Sequence, residues 1–169
     1  MAPGTVTDSK HWHAVHTRSR HEKLVDKLLA EQGVERFLPL RQVHSQWKDR
    51  KKWVENPLFP GYIFARICLD ELMAVRSTRG VVRLLGPEPL RPSVVPEDEI
   101  ENIRRLVTSR VPVDPYPYLK PGQTVCIKRG PLRDVEGTIV RKDRRCLIVV
   151  TVKLLGRSVA AQVSAEDVE

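Results

Sequence analysis

The strongest constraint on this chain is a change of hydrophobic pattern across a proline-rich segment, residues 110–119. Before this segment, apolar residues alternate between helical and strand spacing. After it, they occur in short alternating runs at roughly ten-residue intervals. Four prolines lie in the segment or just after it: Pro112, Pro115, Pro117 and Pro121. We therefore predict a semi-rigid linker between an amino-terminal domain, residues 11–109, and a carboxy-terminal domain, residues 120–169.

The amino-terminal part alternates strand and helix patterns. Residues 1–10 carry no apolar period and predict a disordered tail. Apolar positions in Trp12–Thr17 alternate as in a strand, and Leu24–Leu29 form a helical stripe that Gly33 would end. Ile100–Val107 form the stripe of a last helix. The order β-α-β-β-α-β-α predicts an α+β sandwich built on one sheet.

The carboxy-terminal part consists of short strand patterns separated by turn residues such as Gly130-Pro131. The predicted strands are centred on Val125–Ile127, Thr138–Val140, Leu147–Thr151 and Val159–Val163. Their spacing is typical of a small antiparallel β-barrel of about fifty residues. Because many of these residues are β-branched, we expect a stable barrel rather than a helical hairpin. The predicted fold class is α+β, with an α/β sandwich followed by this barrel.

The charge balance favours an acidic partner. Lys and Arg exceed Asp and Glu by 29 − 21 = +8, and the pI is about 9.7. Nucleic acid, or a machine that acts on nucleic acid, is the first expectation. Aromatic residues make up only 5% of the chain, which favours phosphate contacts over base stacking. No apolar run could span a membrane or serve as a signal peptide, so the sequence predicts a cytoplasmic protein.

No pattern of catalytic or metal-binding residues is present in the sequence. The five histidines lack metal-ligand spacing, and no phosphate-binding glycine loop or nucleophile motif occurs. Cys68, Cys126 and Cys146 are widely scattered, which argues against a disulfide or zinc site and predicts buried, reduced thiols. We therefore predict a protein that is not an enzyme and uses no metal or other cofactor.

Several motifs resemble, in order, those of one family. Gly122–Val140 is similar to the KOW motif of ribosomal and transcription-elongation proteins. The other matching features are Trp12, a helix beginning near Arg20, Pro57–Phe64, Thr78–Val81 and Leu154–Ser158. Together they resemble the NusG family of bacterial transcription elongation factors over about residues 11–169. The short linker and Val152–Val168 are more similar to specialised paralogues, which include RfaH and the UpxY regulators of capsular polysaccharide operons.

The resemblance implies a monomeric, non-enzymatic transcription elongation and antitermination factor with an NGN-like domain and an SH3-like KOW barrel. Family members seat the clamp helices of the largest RNA polymerase subunit on an apolar surface and suppress pausing or termination; the specialised paralogues do so at particular operons. The residues implied in polymerase binding are Phe59, Tyr62, Phe64, Leu72 and Met73. Because Tyr62 and Phe64 share one strand face, part of this set must be core.

The resemblance also implies contact with the non-template DNA strand. The matching positions are His16, Arg18, Arg20 and Arg79, although surface arginines can also be merely solvated. A guanidinium can pair with phosphate or guanine through two hydrogen bonds. A predicted hairpin at residues 41–53 carries 5 − 1 = +4 charges and could follow phosphates or serve solubility alone. Its charged residues are Arg41, Lys48, Arg50, Lys51 and Lys52, against Asp49.

The barrel of the family binds ribosomal protein S10 or the termination factor Rho. The implied contacts here are Leu132, Arg133 and Val135. Leu132 stands where the housekeeping factor has an aromatic residue, which argues against Rho. We expect the barrel to be largely undocked, leaving Phe59, Tyr62 and Phe64 accessible. A ribosome-associated, RNA-binding KOW protein is the alternative, supported by the basic pI and by the barrel alone. Against it stands the amino-terminal module, because Phe59–Tyr62 has no evident role in RNA binding.

Overall fold

The computed structural model describes residues 9–118, 123–142 and 144–168. The chain divides into two compact units. The first comprises the chain up to Leu38 together with Phe59–Pro96, and the second comprises Pro39–Leu58 and the chain from Glu97 onward. The predicted tail falls mainly on residues 1–8, outside the described residues. The division into domains 11–109 and 120–169 stays a prediction.

The helices and strands alternate in the first half of the chain, and strands predominate in the second half. In chain order they are β1 (His11–Thr17), α1 (Glu22–Glu31), β2 (Glu35–Phe37), β3 (Leu40–Trp47), β4 (Arg50–Pro57), β5 (Tyr62–Ile67), α2 (Leu72–Arg76), β6 (Val81–Leu84), α3 (Glu97–Thr108), β7 (Val113–Tyr116), β8 (Thr124–Cys126), β9 (Glu136–Lys142), β10 (Arg145–Val152) and β11 (Arg157–Val163). This mixture confirms the predicted α+β class.

The first unit is built on an antiparallel sheet with the strand order β2-β5-β1-β6. One face of the sheet packs against α1 and α2 in a buried cluster that includes Val15, Ile63, Val25, Leu29 and Val75. These positions follow the strand and helix periods of the sequence, since every second residue of a strand and every third or fourth residue of a helix share a face. The predicted helical stripes are confirmed.

β3 and β4 form a separate two-stranded hairpin in the second unit. Their pairing runs from Leu40↔Pro57 to Trp47↔Arg50, so only Lys48 and Asp49 connect the strands. Taken alone, the charged run Lys48–Lys52 predicts a longer turn over these five residues. That prediction was wrong at its end because Arg50–Lys52 already pair with β3 residues.

The rest of the second unit contains α3 and an antiparallel sheet with the order β7-β11-β10-β9-β8. This sheet matches the predicted barrel, and its core includes Ile127, Ile148 and Val159. Gly137 is required in β9, because a Cβ atom there would lie 2.5 Å from the carbonyl oxygen of Val149. The close approach of two strands therefore explains this glycine.

A strand lies inside the proline-rich segment. The segment was predicted to be a linker without regular structure, yet Val113–Tyr116 pairs with β11 from Ala161↔Val113 to Ser158↔Tyr116. Because β7 is at the edge of its sheet, Pro115 can be accommodated without a backbone donor on the open side. The last position of the predicted linker, Leu119, lies outside the described residues.

The described residues hold no group of three His, Cys, Asp or Glu side chains placed to bind a metal ion. Within the same ranges, no helix is long and apolar enough to cross a bilayer. Cys68, Cys126 and Cys146 are free thiols, and each is half-buried rather than buried as predicted. Cys126 lies on β8, Cys146 lies on β10, and Cys68 follows β5.

Candidate functional site

Three turns meet at one edge of the first unit. The amide of Thr17 donates a hydrogen bond to the carbonyl of Gly61 at 2.8 Å, and the amide of Arg18 donates to the carbonyl of Gly80, also at 2.8 Å. These two bonds join segments that lie far apart in sequence. We call residues 17–21, 59–62 and 77–81 together the loop cluster.

Glu22 fixes the Pro60-Gly61 turn within the loop cluster. Its side chain is buried, and its carboxylate accepts a 2.7 Å hydrogen bond from the amide of Gly61. Gly61 has φ of +85°, a conformation that glycine adopts readily. An acid in the first turn of α1 is already favoured by the helix dipole. The sequence analysis missed Glu22, because nothing local to it indicates a partner 39 residues away.

Gly80 sets the position of Arg79. Its φ is +92°, and a Cβ atom added there would lie 3.0 Å from Cγ2 of Val25 and 3.2 Å from Cβ of His21. A larger residue would therefore push the turn away from α1. The adjacent Thr78 hydroxyl is held as well, since it donates to the carbonyl of Ala74 and accepts from the side-chain amide of Gln32. The turn is fixed from both sides.

The predicted DNA-binding residues all belong to, or border, the loop cluster. The Arg18, Arg20 and Arg79 side chains are exposed, and none of them forms an ion pair with a described residue. His16 is half-buried, and its ring stacks on Tyr62 with 5.2 Å between centroids. The cluster therefore presents unpaired guanidiniums beside a stacked aromatic pair, while the DNA-binding role of these residues stays a prediction.

The predicted polymerase-binding residues divide into buried and accessible ones. Phe59, Phe64 and Leu72 are buried, whereas Tyr62 is half-buried and Met73 is 57% exposed. The Phe59 and Phe64 rings meet edge to face at 6.2 Å between centroids, and Phe64 also stacks on Phe37. The expectation that Phe59 and Phe64 are accessible was therefore wrong, because these rings pack against other aromatic side chains. Only Tyr62 and Met73 can offer their own side-chain surface to a partner.

The predicted contacts of the barrel divide in the same way. Leu132 and Val135 are buried, and Arg133 is exposed. The loop that carries them is closed by two backbone bonds, from the Ile127 amide to Val135 and from the Asp134 amide to Ile127. Leu132 and Val135 are therefore buried residues of the loop, and Arg133 is the member of the predicted set that faces solvent.

Two buried groups of the described chain have shifted pKa values. Burial lowers the pKa of His13, although its Nδ1 lies 3.0 Å from the carbonyl of Ser93 and that bond acts in the opposite direction. Burial raises the pKa of Glu99, whose Oε2 has no hydrogen-bond partner among the described residues. Neither group belongs to the loop cluster, and the two lie on different units.

Comparison with known proteins identifies the family. A family model described as "Transcription termination factor nusG" matches residues 10–104, more than half of the chain. The chain belongs to the NusG family. This confirms the resemblance drawn from the ordered motifs. Members of the family are transcription factors rather than enzymes, which confirms the predicted absence of catalysis. The assignment to a specialised paralogue stays a prediction.

Individual relatives resemble the chain over almost its whole length. It is 28% identical to the transcription termination/antitermination protein NusG of Pseudomonas aeruginosa, with 95% of this chain and 98% of that protein covered. It is 26% identical to the protein of the same name from Borreliella burgdorferi, with the same coverage. A solved structure described as "Domain interaction in Thermotoga maritima NusG" matches with a TM-score of 0.57 and 27% identity, covering 95% of this chain and 96% of that one.

Proposed function

We propose that this protein is a transcription elongation and antitermination factor that binds the clamp helices of RNA polymerase and suppresses pausing or termination. Relatives named transcription termination/antitermination protein are covered over 98% of their length, which supports a shared overall role. The observation that carries the proposal is the loop cluster. It holds a half-buried tyrosine together with three exposed arginines that form no ion pair with a described residue, at one edge of the first unit.

Within the proposal, Tyr62 and Met73 contact the polymerase directly. Phe59 and Phe64 are buried and act as positioning residues, because Phe64 lies on the strand that carries Tyr62 and Phe59 packs against Phe64. A half-buried tyrosine suits an interface centre, since its ring adds apolar contact with little loss of side-chain entropy and its hydroxyl can still form a hydrogen bond.

The polymerase contact is tested by measuring the affinity of the full chain for core RNA polymerase. Tyr62→Ala is expected to weaken binding at least tenfold, as loss of a central aromatic residue at an interface does. Tyr118→Ala is the matched control, because Tyr118 is an exposed aromatic residue outside the loop cluster. Equal affinity of Tyr62→Ala and the unaltered chain would contradict the proposed seat. Co-purification with ribosomal subunits instead of polymerase would favour the alternative KOW protein.

The non-template DNA strand is the second proposed ligand of the loop cluster. Base-edge contacts give sequence selectivity, whereas phosphate contacts add affinity on every template. Replacing Arg18 and Arg79 by glutamine is therefore expected to reduce the response at particular pause sites and to leave polymerase affinity unchanged. Arg129→Gln combined with Arg145→Gln removes equal charge elsewhere and serves as the control. An equal loss of response on every template would exclude direct readout of the bases by these arginines. Comparing templates from different operons also tests operon specificity.

The barrel is proposed to bind ribosomal protein S10 through its exposed loop. Arg133 is the predicted contact that faces solvent, so Arg133→Ala is expected to weaken this complex when affinity is measured by calorimetry. Leu132 is buried and smaller than the aromatic residue it replaces, so we expect no measurable complex with Rho. Tight Rho binding by the full chain would contradict this part of the proposal.

A further inference from the structure

The tip of the β3–β4 hairpin concentrates charge between two aromatic residues. Residues 47–53 comprise Trp47, Trp53 and, between them, four cations and one acid, giving a net charge of 4 − 1 = +3. The charged residues are Lys48, Asp49, Arg50, Lys51 and Lys52. We call residues 47–53 the hairpin tip. It belongs to the second unit and contains no residue of the loop cluster.

The strand register distributes the tip residues over both faces of the ribbon. Trp47 is opposite Arg50, and Ser45 is opposite Lys52. Since directly paired residues of antiparallel strands share a face, Trp47 lies on one face with Arg50 and Lys52. On the other face, Trp53 is paired with His44, and their rings meet edge to face at 4.3 Å between centroids.

Both indoles of the hairpin tip are open to solvent. Trp47 is 83% exposed and Trp53 is 62% exposed. No ion pair within the described part of the chain involves Lys48, Arg50, Lys51 or Lys52. Arg41, nearer the hairpin base, differs because it is bonded to Asp114 at 2.8 Å. The tip therefore has available cations and indole faces in the same place.

We propose that the hairpin tip binds single-stranded DNA. The exposed face of Trp47 stacks on an unpaired base, and Arg50 and Lys52 on the same ribbon face contact the phosphates on either side. A cationic surface combined with exposed aromatic rings is the arrangement by which proteins bind single strands without sequence preference. This site goes beyond the proposed function, since it requires neither polymerase nor the loop cluster.

The chemistry of the tip favours an unpaired strand over a duplex. In a duplex an indole must first separate stacked base pairs, whereas bases of a single strand are free to stack. Apart from Asp49, the side chains between the tryptophans are hydrogen-bond donors, which suit phosphate oxygens. Single-stranded DNA therefore offers both kinds of group that the tip can contact, namely unpaired bases and phosphates. The low overall aromatic content led us to expect phosphate contacts rather than base stacking. Composition alone does not reveal that two tryptophans lie close together in one hairpin.

The proposal is tested with the full chain and a fluorescently labelled oligo-dT of about twelve nucleotides, with affinity measured by anisotropy. Trp47→Ala is expected to weaken binding roughly tenfold, within the range found for loss of one stacking residue. Trp47→Phe keeps an aromatic face and is expected to retain most of the affinity. Tyr118→Ala is the control for an exposed aromatic residue elsewhere. Because Trp47 is largely exposed, a circular dichroism spectrum is expected to be unchanged in each variant.

The cationic part is tested by salt dependence. Replacing Arg50, Lys51 and Lys52 by glutamine is expected to reduce the slope of log affinity against log salt by about 1.4, at about 0.7 for each of the two phosphate contacts proposed for Arg50 and Lys52. The matched control removes the same charge from exposed positions outside the tip, and it is expected to keep the slope. Its substitutions are Lys27→Gln, Arg129→Gln and Arg145→Gln.

Intrinsic fluorescence gives a second readout. Trp12 is buried, so quenching by oligo-dT is expected to come from the hairpin tip and to fall in Trp47→Phe combined with Trp53→Phe. Comparable binding of oligo-U supports a tip that contacts only bases and phosphates. Four results would overturn the proposal: unchanged binding by Trp47→Ala, an equal loss of slope in the charge control, tighter binding of a blunt duplex, or tenfold tighter binding of RNA.

Discussion

The loop cluster and the hairpin tip are both basic, but they hold their side chains in different ways. In the loop cluster, backbone bonds between three turns and a glycine packed against α1 fix the segments that carry Arg18 and Arg79. In the hairpin tip, the ladder between two strands orders the backbone, and the cationic side chains lie on an open ribbon. Donors carried on fixed turns can distinguish bases, whereas cations on an open ribbon attract phosphates of any sequence. We therefore expect selectivity from the first region and sequence-independent affinity from the second.

The largest expected difference between the two regions is in stability. Phe59→Ala removes a buried ring from the loop cluster and is expected to lower the free energy of unfolding by about 3–5 kcal/mol. Trp47→Ala removes an exposed ring from the hairpin tip and is expected to change it by less than about 0.5 kcal/mol. Urea unfolding of both variants tests this contrast. Similar losses in the two variants would mean that the tip is packed as tightly as the cluster.

Gly80→Ala tests whether the geometry of the loop cluster depends on this glycine. We expect the free energy of unfolding to fall by about 2–3 kcal/mol, because a positive φ disfavours alanine and the new methyl group meets α1. Gly33→Ala is the control, since Gly33 has φ of +73° but no atom within 4 Å of an added Cβ. That variant is expected to lose only about 1 kcal/mol. If thermal unfolding showed the same loss of stability in both variants, the backbone conformation at Gly80, and not packing against Val25, would account for the requirement for glycine.

The carboxylate of Glu22 is expected to contribute less than either packing effect. Glu22→Ala removes the acceptor of the hydrogen bond from the Gly61 amide. We expect the free energy of unfolding to fall by about 2 kcal/mol, typical of a hydrogen bond to a charged group. Glu22→Gln keeps an acceptor oxygen and is expected to lose about half as much. Amide hydrogen exchange at Gly61 should accelerate in the same order. Unchanged exchange in Glu22→Ala would contradict the role assigned to this residue.

The smallest effect is expected at the base of the hairpin. Arg41 and Asp114 form an ion pair at 2.8 Å, and the Asp114 side chain is largely exposed. Arg41→Ala is expected to lower the free energy of unfolding by only about 0.2–1 kcal/mol, which is the usual contribution of an exposed ion pair. A double-mutant cycle with Asp114→Ala measures the pair directly. A coupling of several kcal/mol would indicate that the hairpin base is as firmly held as the loop cluster.

Local periodicity was sufficient to predict most of the elements. The stripes of α1 and α3 and the alternation in β8–β11 depend on near neighbours in sequence, so their spacing indicated them correctly. β7 was missed because its pairing with β11 joins residues more than forty positions apart, while the prolines indicated a linker. The length of the turn between β3 and β4 was overestimated for a related reason, since the charged residues at the start of β4 resemble a loop.

The candidate site was predictable in outline and not in detail. The Thr-Arg-Gly and Pro-Gly segments indicated two of the three turns, and Arg79 is exposed as that prediction requires. The buried state of Phe59 and Phe64 depends on contacts between rings from different elements, which no local pattern encodes. The same is true of Leu132, which resembles an exposed loop residue in sequence but is buried, whereas its neighbour Arg133 is exposed.

The edge position of β7 bears on how the carboxy-terminal sheet can be studied alone. A fragment beginning at residue 120 would lack Val113–Tyr116 and leave the amides and carbonyls of β11 unpaired along one side. Such an edge is a template for pairing with another chain, so the shortened fragment should self-associate at high concentration. Beginning the fragment before Val113 would restore the missing strand, with Pro115 on its outer side to discourage further strand addition.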